Sequence, residues 1–366
     1  MKLEKLDQRI TNADPMPCSR VVLYRDLAFF TGHSAAQGKD IREQTALLCR
    51  RYDTLLAQYG LKKEHILYAA AYLQDKNEIP DYEEVFKTWV GVETPPAGVA
   101  VQAPPMGGTN RLELELLVAR ETPDMTLLKL DQRITGGDPT AASRVVIHNG
   151  VAYFTGHSAF RGPGRETLAQ QTRALLRRYD ELLVQFGLKK ERILSYHAYL
   201  RDIGDIAEFA DELKIWLGGS DCPAGVAVQA PPGGENNLLE LALTVAADDK
   251  PIDRYEMGGT FSRLVVHNGI GYFTGHVAKP TADTYAEQLR IILGRYDALF
   301  CRYGLKKEHL LMSRTYLDEI GRYGEIEPVW ADWAGYETPP AGVAVEAPPE
   351  QKENLLELEL QIAVEQ

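Results

Sequence analysis

One unit of sequence occurs three times in this chain of 366 residues. The tetrapeptide F-T-G-H, a helical segment ending in G-L-K-K and the strand-like segment P-A-G-V-A-V recur in the same order in every copy. The equivalent glycines Gly98, Gly225 and Gly342 are 127 and 117 residues apart. These intervals are much longer than the repeats of solenoid proteins, so each copy is predicted to fold as a whole domain.

Polar residues and prolines interrupt the repeated pattern at residues 121–125 (E-T-P-D-M) and 247–251 (A-D-D-K-P). These seams predict three domains, at residues 1–121, 122–248 and 249–366. The connecting segments are short and contain no long Gly/Ser run. Domains that pack on each other are therefore favoured over independent beads on a flexible chain.

The first copy shows the local structure that each unit is predicted to adopt. Residues 20–32 indicate two strands joined at Arg25-Asp26, and the other copies have Asn-Gly at this turn, a strong hairpin signal. A long amphipathic helix follows and ends at Gly60, a typical helix-terminating glycine. Its apolar face has spacings of three and four residues, at Leu48, Tyr52, Leu55, Leu56 and Tyr59. A strand at I-L-Y-A-A-A-Y-L, a short helix over residues 82–90 and a closing pair of strands complete the unit.

The element order β-β-α-β-α-β-β indicates an α+β fold in which helices cover one face of each sheet. In the last strand Leu112, Leu114 and Leu116 alternate with Glu113 and Glu115, which gives one apolar and one acidic side. The face of each sheet without helices has to be buried. We therefore predict a pseudo-threefold trimer within one chain, with an inner β-barrel and outer helices.

Charge and composition limit the function classes. Forty Lys+Arg against 52 Asp+Glu give a net charge of −12, so the surface repels phosphate backbones and no nucleic-acid partner is expected. No stretch approaches 18 apolar residues, and the N-terminus lacks the apolar core of a signal peptide, so we expect no membrane association. The four cysteines form no C-x-x-C pair and are predicted to be free thiols in a reducing cytoplasm.

The S/T-G-Q/H turn, the helix ending in G-L-K-K, the P-A-x-x-x-V-Q/E-A strand and the final L-E-L-E strand resemble the Rid (YjgF-like) imine/enamine deaminase family, whose fold is similar to that of chorismate mutase. The likeness covers each repeat almost end to end. Members of that family form homotrimers with three sites in the clefts between neighbouring subunits. The resemblance implies that this chain is such a trimer fused into a monomer, with a small-molecule substrate and neither cofactor nor metal.

The resemblance also assigns the family's functional positions to residues of each copy. The water-activating glutamate of the last strand corresponds to Glu113, Glu240 and Glu357. The serine of the S-G-Q element corresponds to Thr31, Thr155 and Thr274. Its glutamine corresponds to His33, His157 and His276. The pocket tyrosine corresponds to Cys18, Ala142 and Phe261.

The chain departs from the family pattern where an arginine normally holds a substrate carboxylate through a bidentate pair. Glycine stands there in all three copies, at Gly98, Gly225 and Gly342. The likeness is therefore to Rid subgroups that lack this arginine, and the sites should suit a larger or less anionic ligand. A serine is followed by Arg20, Arg144 or Arg263 in each copy, and these arginines either form surface or interface salt bridges or replace the missing clamp.

Each candidate also has a structural interpretation. Glu113 and its equivalents either hydrate an edge strand or act as acid/base groups, whereas Glu115 and Glu359 are predicted to be structural. The three histidines are either core residues, proton-transfer groups or, if they met on the threefold axis, zinc ligands, which the family topology disfavours. Cys18 is predicted to be a buried thiol rather than a nucleophile. Core packing is predicted for Trp89, Trp216 and Trp333, with pocket lining as the alternative for them and Tyr336.

These features predict an enzyme that acts on an imine, enamine or related C=N compound at the clefts between domains, by hydrolysis, deamination or proton transfer. The missing arginine argues against simple 2-imino acids as substrates. The copies differ at Ser34, Ser158 and Val277, so the three clefts need not share one activity. The alternative is a noncatalytic module whose former active sites now bind a small molecule or a protein. An endoribonuclease is the less favoured third possibility.

Overall fold

A computed structural model of the protein describes residues 3–7, 17–130, 142–159, 164–278 and 282–365. Within these ranges the chain forms three modules, each with seven strands and two α-helices. The first contains β1 (Leu3–Leu6), β2 (Val21–Tyr24), β3 (Leu27–Phe30), β4 (His33–Ser34), α1 (Ile41–Gln58), β5 (Ile66–Leu73), α2 (Ile79–Val90), β6 (Ala97–Gln102) and β7 (Leu112–Ala119).

The other two modules repeat this order. The second contains β8 (Leu127–Leu130), β9 (Val145–His148), β10 (Val151–Phe154), β11 (His157–Ser158), α3 (Leu168–Gln185), β12 (Ile193–Leu200), α4 (Ile206–Leu217), β13 (Ala224–Gln229) and β14 (Leu239–Ala246). The third contains β15 (Ile252–Gly258), β16 (Phe261–His267), β17 (Ile270–Phe273), β18 (His276–Val277), α5 (Tyr285–Tyr303), β19 (Leu310–Leu317), α6 (Tyr323–Ala334), β20 (Ala341–Glu346) and β21 (Leu356–Ala363).

Local sequence explains the turns and helix ends. The hairpin turns begin with residues in the left-handed region, at φ values of +53° for Arg25, +44° for Asn149 and +50° for Asn268, as the turn geometry requires. The helix α1 begins after Asp40, whose side chain accepts a hydrogen bond from the Glu43 amide, and ends before Gly60, which has a φ of +66°. The predicted hairpin and helix are thus confirmed.

The first sheet has the strand order β1-β2-β3-β7-β5-β6, and the short β4 also pairs with β7. The predicted closing pair is not a pair in space, because β5 lies between β6 and β7 and β6 runs parallel to β5. The helix α2 supplies the crossover that two parallel strands need. Because β7 is an interior strand, the edge-strand interpretation of Glu113 is wrong.

The three modules close into a ring. Backbone bridges join Val101 to Pro232, Val228 to Pro349, and Val345 back to Pro105. A single apolar core contains buried residues from the sheets of all three modules and none from the helices, and three separate clusters pack the helices against the outer faces of the sheets. The predicted pseudo-threefold arrangement, with sheets inside and helices outside, is confirmed.

The shared core encloses one charged network with members from all three modules. Arg314 of β19 donates from Nε to Oε2 of Glu115 at 2.9 Å and from Nη1 to Oε2 of Glu359 at 3.3 Å. His197 of β12 lies 3.0 Å from both carboxylate oxygens of Glu359. Burial alone raises the pKa of Glu359, but His197 and Arg314 outweigh it and hold that pKa below its ordinary value.

Among the residues that the structure describes, none of the helices combines the length and apolar character needed to cross a bilayer.

Candidate functional site

A cleft lies at each of the three seams between modules. We name each cleft after the glutamate in its wall: the Glu113 cleft between the third and first modules, the Glu240 cleft between the first and second, and the Glu357 cleft between the second and third. Their volumes are about 260, 280 and 320 Å³ respectively. Each can hold a small organic molecule.

A threonine joins the two modules at the base of each cleft. In the Glu113 cleft the Thr31 hydroxyl donates to the Ser19 carbonyl at 2.5 Å and accepts from the Gly342 amide of the third module at 3.0 Å. The Gly342 carbonyl in turn accepts from the Gly32 amide at 3.0 Å. This pattern recurs with Thr155 and Gly98, and with Thr274 and Gly225.

The predicted substrate-binding threonines and glycines therefore all line clefts, but the fold already uses them. Each hydroxyl donates one hydrogen bond and accepts another at the seam, which leaves it no proton to offer a ligand. The two glycine backbone groups are also paired across the seam, so their contribution to the cleft is the space left by the missing side chain.

The glutamates are held against glycine backbone. A Cβ atom on Gly32 would lie 2.1 Å from Oε1 of Glu113, and the corresponding distances are 2.1 Å from Gly156 to Glu240 and 1.8 Å from Gly275 to Glu357. A side chain at any of these three glycines would force the carboxyl group to move. The F-T-G-H motif thus makes room for the carboxyl group of the last strand.

These carboxyl groups are buried without partners. Glu113 and Glu357 are each 6% exposed, and Glu240 is somewhat more exposed. None of the three makes a side-chain hydrogen bond or ion pair with the part of the chain that the structure describes. Burial raises the pKa of each to about 8, and a neighbouring glutamate adds to the effect. Such groups are largely protonated at pH 7 and titrate near neutrality, as acid/base catalysts do.

The three histidines are buried rings next to tyrosines. His276 stacks on Tyr296 at 4.5 Å between ring centroids, and the centroids of His33 and Tyr52 are 5.4 Å apart. Burial, with two nearby arginines, lowers the pKa of every one of them, that of His276 to about 3. His33 and His276 reach their clefts, but His157 is not among the residues lining the Glu240 cleft.

These surroundings favour packing over the predicted role of the histidines as second acid/base groups, because the rings stay neutral across the physiological range. Each ring packs against the long helix of its own module, so the three do not meet on the axis. The zinc interpretation is therefore wrong, and within the described ranges no three metal-binding side chains gather.

The remaining candidates differ from cleft to cleft. Cys18 lines the Glu113 cleft, and burial raises the pKa of its thiol to about 12, so it is not a thiolate nucleophile. Arg263 lines the Glu357 cleft together with Arg295, and its Nε lies 3.5 Å from a Glu256 carboxylate oxygen. Neither Arg20 nor Arg144 is among the residues that line a cleft. Of these three arginines, only Arg263 therefore lies where it could replace the clamp.

Several residues that line the clefts were not predicted from the sequence. One face of the short helix forms a wall of each cleft, as Tyr82 and Phe86 do in the Glu240 cleft and Tyr323 and Trp330 in the Glu113 cleft. Their apolar and aromatic residues, three and four positions apart along the short helices, were the sequence signal that could have identified this wall. Tyr196 was not foreseeable: a Cβ on Gly225 would lie 2.1 Å from its ring, so it fills much of the space beside that glycine.

The three tryptophans pack against the helix–sheet clusters of their modules, as the core-packing prediction had it. Trp89, Trp216 and Trp333 donate their indole N–H groups to aspartates on the long helix of the same module, at 2.8, 2.8 and 2.9 Å. They and Tyr336 are absent from the residues that line the three clefts.

Known proteins resemble this chain one module at a time. The sequence profile of the family described as endoribonuclease L-PSP matches residues 11–120, 139–247 and 252–364. A RutC family protein of Haemophilus influenzae is 30% identical over 97 residues, which cover 26% of this chain and 84% of that protein. The RutC family protein YoaB of Escherichia coli is 30% identical over 101 residues, which cover 28% of this chain and 89% of that protein.

A solved structure gives the same extent of similarity. A YjgF protein family member from Neisseria meningitidis is 28% identical and has a TM-score of 0.31, with 32% of this chain and 97% of that chain covered. The profile match and the two RutC family relatives confirm the family resemblance predicted from the motifs. Because the family profile matches three successive stretches that together make up most of the sequence, the chain belongs to the endoribonuclease L-PSP family, with three copies of its unit in one polypeptide.

Proposed function

We propose that the protein is an enzyme that acts on an imine, enamine or related C=N group of a small organic molecule in the clefts between its modules. What supports this proposal is the glutamate in each cleft wall, which has no hydrogen-bond or ion-pair partner among the described residues and whose pKa burial raises to about 8. A carboxyl group that lines a cleft without a protein partner can exchange a proton with a ligand or with water, a role that packing does not provide.

The chemistry that fits is water addition to a C=N bond. The carboxylate form of the glutamate takes a proton from water as the water oxygen bonds to the imine carbon. The carboxylic acid form returns that proton to nitrogen, which gives a carbinolamine. The carboxyl group then passes the hydroxyl proton of this adduct to nitrogen as the C–N bond breaks, which gives a carbonyl compound and ammonia or an amine. A pKa near 8 allows one group to serve both steps near neutral pH.

The glycines determine which substrates are expected. No guanidinium projects from Gly98, Gly225 or Gly342 to bind a carboxylate, and the described residues that line the Glu240 cleft include no arginine. We therefore expect slow turnover of simple 2-imino acids. Imines and enamines that lack a carboxylate should react faster.

The test is ammonia or amine release from 2-imino acids and from carboxylate-free imines generated in situ. Single variants Glu113→Gln, Glu240→Gln and Glu357→Gln are compared with the triple variant. The divergence between the clefts predicts unequal losses from the single variants and complete loss in the triple variant. Full activity of the triple variant, or fast release from a simple 2-imino acid, contradicts the proposal.

A noncatalytic binding protein is the second candidate. It is favoured by the threonine hydroxyls that the seams already use and by Tyr196, which fills space in the Glu357 cleft. In that case the triple Gln variant retains the biological function and ligand binding. Endoribonuclease activity, which the family description names, is disfavoured by the net charge of −12 and is tested by salt-dependent RNA binding.

A further inference from the structure

The Glu357 cleft brings two arginines of the third module together. Arg263 on β16 and Arg295 on α5 both line this cleft. Among the described residues that line the other two clefts, Arg51 in the Glu113 cleft is the only lysine or arginine. Burial and the charge of Arg263 lower the pKa of Arg295, so the two guanidinium groups are close enough to repel each other.

The nearby acids do not neutralise this pair. The Nε atom of Arg263 lies 3.5 Å from a carboxylate oxygen of Glu256, but Glu256 also pairs with Arg302 and is not among the residues that line the cleft. Glu350 lines the cleft but is exposed, and its charge acts on the carboxyl group of Glu357. The pair therefore keeps positive charge that an anionic ligand can neutralise.

Both guanidinium groups also keep N–H donors for a ligand. Arg295 donates from Nη1 and Nη2 to the backbone carbonyls of Val277 and Ala278, which fixes the side chain and leaves its Nε–H unused by the described residues. The Nη1 atom of Arg263 lies 3.5 Å from Nε2 of His276, and its Nη2 group makes no hydrogen bond with the described part of the chain. Carboxylate oxygens are the usual acceptors for such donors.

The rest of the cleft suits the apolar part of an organic anion. The guanidinium carbon of Arg263 lies 5.9 Å from the centroid of the Phe261 ring, and Phe209 and Leu213 of α4 belong to the wall from the second module. Neither arginine is among the charges that shift the pKa of Glu357. The anionic group of a ligand is therefore held away from that carboxyl group.

We infer that the Glu357 cleft binds a small organic carboxylate through Arg263 and Arg295. The ring of Tyr196 covers Gly225, so the carboxylate is not held where the family pattern has its arginine. The expectation of slow turnover for simple 2-imino acids is therefore unchanged. Binding of a carboxylate does not require catalysis, so this inference does not depend on the proposed function.

Isothermal titration calorimetry of the full chain with phenylacetate tests the inference, with 2-phenylethanol and 2-phenylethylammonium as neutral and cationic probes of similar shape. We expect saturable binding of one phenylacetate per chain at millimolar concentration, and roughly tenfold weaker binding of the other two probes. Arg263→Gln and Arg295→Gln should each weaken phenylacetate binding about fivefold, and the double variant should abolish it. Raising the salt concentration from about 50 mM to about 500 mM should also weaken it, because salt screens the attraction.

Arg51→Gln is the matched control, because Arg51 has the position in α1 that Arg295 has in α5 but lines the Glu113 cleft. It should leave the affinity unchanged. Absence of saturable phenylacetate binding overturns the inference, as does equal binding of 2-phenylethanol. Binding that survives the double variant but is lost in Arg51→Gln places the ligand in another cleft and also overturns it.

Discussion

The central network and the cleft walls use glutamates of the same strand in opposite ways. Glu357 and Glu359 are two residues apart on β21 and therefore project from the same face of the sheet. Glu359 contacts Arg314 and His197, and its pKa is lowered. Glu357 has no partner within the described residues, and its pKa is raised to about 8. Burial alone does not decide the charge of a carboxyl group; its partners do.

This comparison separates structural from functional candidates. A paired buried carboxylate contributes to the assembly of three modules around one core. An unpaired one destabilises the fold but is free to exchange a proton with a ligand. The first pair on β7 repeats the pattern, since Glu115 binds Arg314 and Glu113 faces a cleft.

The largest effect is expected from Arg314→Met, which removes the cation shared by Glu115 and Glu359. Leaving buried carboxylates unpaired should lower the free energy of unfolding by about 3–5 kcal/mol, measured by urea denaturation. Adding Glu115→Gln and Glu359→Gln to this variant should restore most of the loss. Arg302→Met, at an exposed ion pair with Glu256, should change the stability very little, because solvent screens the pair. A smaller loss from Arg314→Met than from this control would contradict the structural role of the network.

The cleft glutamates should make stability fall as pH rises. Their folded pKa values of about 8 lie above the ordinary 4.5, so the stability they contribute is fully present below 4.5 and is lost as pH rises to about 8. Each lowers the free energy of unfolding by at most about 1.4 kcal/mol per pH unit in that window. Thermal unfolding from pH 5 to pH 9 should give a flatter profile for the triple Gln variant. Parallel profiles would show that the three groups are not protonated in the folded protein.

The substitution Glu359→Gln tests the same comparison from the opposite side, because the pKa of the Glu359 carboxyl group is lowered rather than raised. The Glu359 carboxylate stabilises the folded protein above the ordinary glutamate pKa of 4.5, and this contribution is lost only in acid. The variant should therefore be destabilised at pH 7 and should approach wild-type stability in acid.

A medium effect is expected from Gly275→Ala, because the new methyl group would overlap Oε1 of Glu357. We expect a loss of about 1–3 kcal/mol, measured by denaturation. Glu357→Ala in the same chain should relieve most of this loss. Gly294→Ala in the middle of α5, where no atom lies within 4 Å of the new Cβ, should instead stabilise the protein slightly. Equal effects at the two glycines would show that the carboxyl group is not held against the F-T-G-H turn.

The smallest effect is expected at the cleft histidines. Burial keeps His33, His157 and His276 neutral, with the pKa of His276 near 3. Their ring proton signals in NMR spectra should not shift between pH 5 and pH 8. A titration midpoint near the ordinary histidine value for any of the three would restore that ring as an acid/base candidate.

The repeats, hairpins and long helices were predictable because their signals lie within short stretches of sequence. The position of Glu113 in a cleft followed from strand alternation together with the family resemblance. The central network was not predictable, because Arg314 and Glu115 are 199 residues apart and in different modules. Its one trace in the sequence is a polar residue at the same point of an apolar strand, His197 in the second copy and Arg314 in the third, where the first has Ala70.

That separation has a consequence for biosynthesis. Glu115 leaves the ribosome with the first module, but its partner Arg314 follows only after 199 more residues. At about 5–20 residues per second, the interval is roughly 10–40 s. During that time the first two modules have an incomplete core and an unneutralised carboxylate on its open side. The last third of the nascent chain thus supplies the positive charge that completes the structure begun by the first.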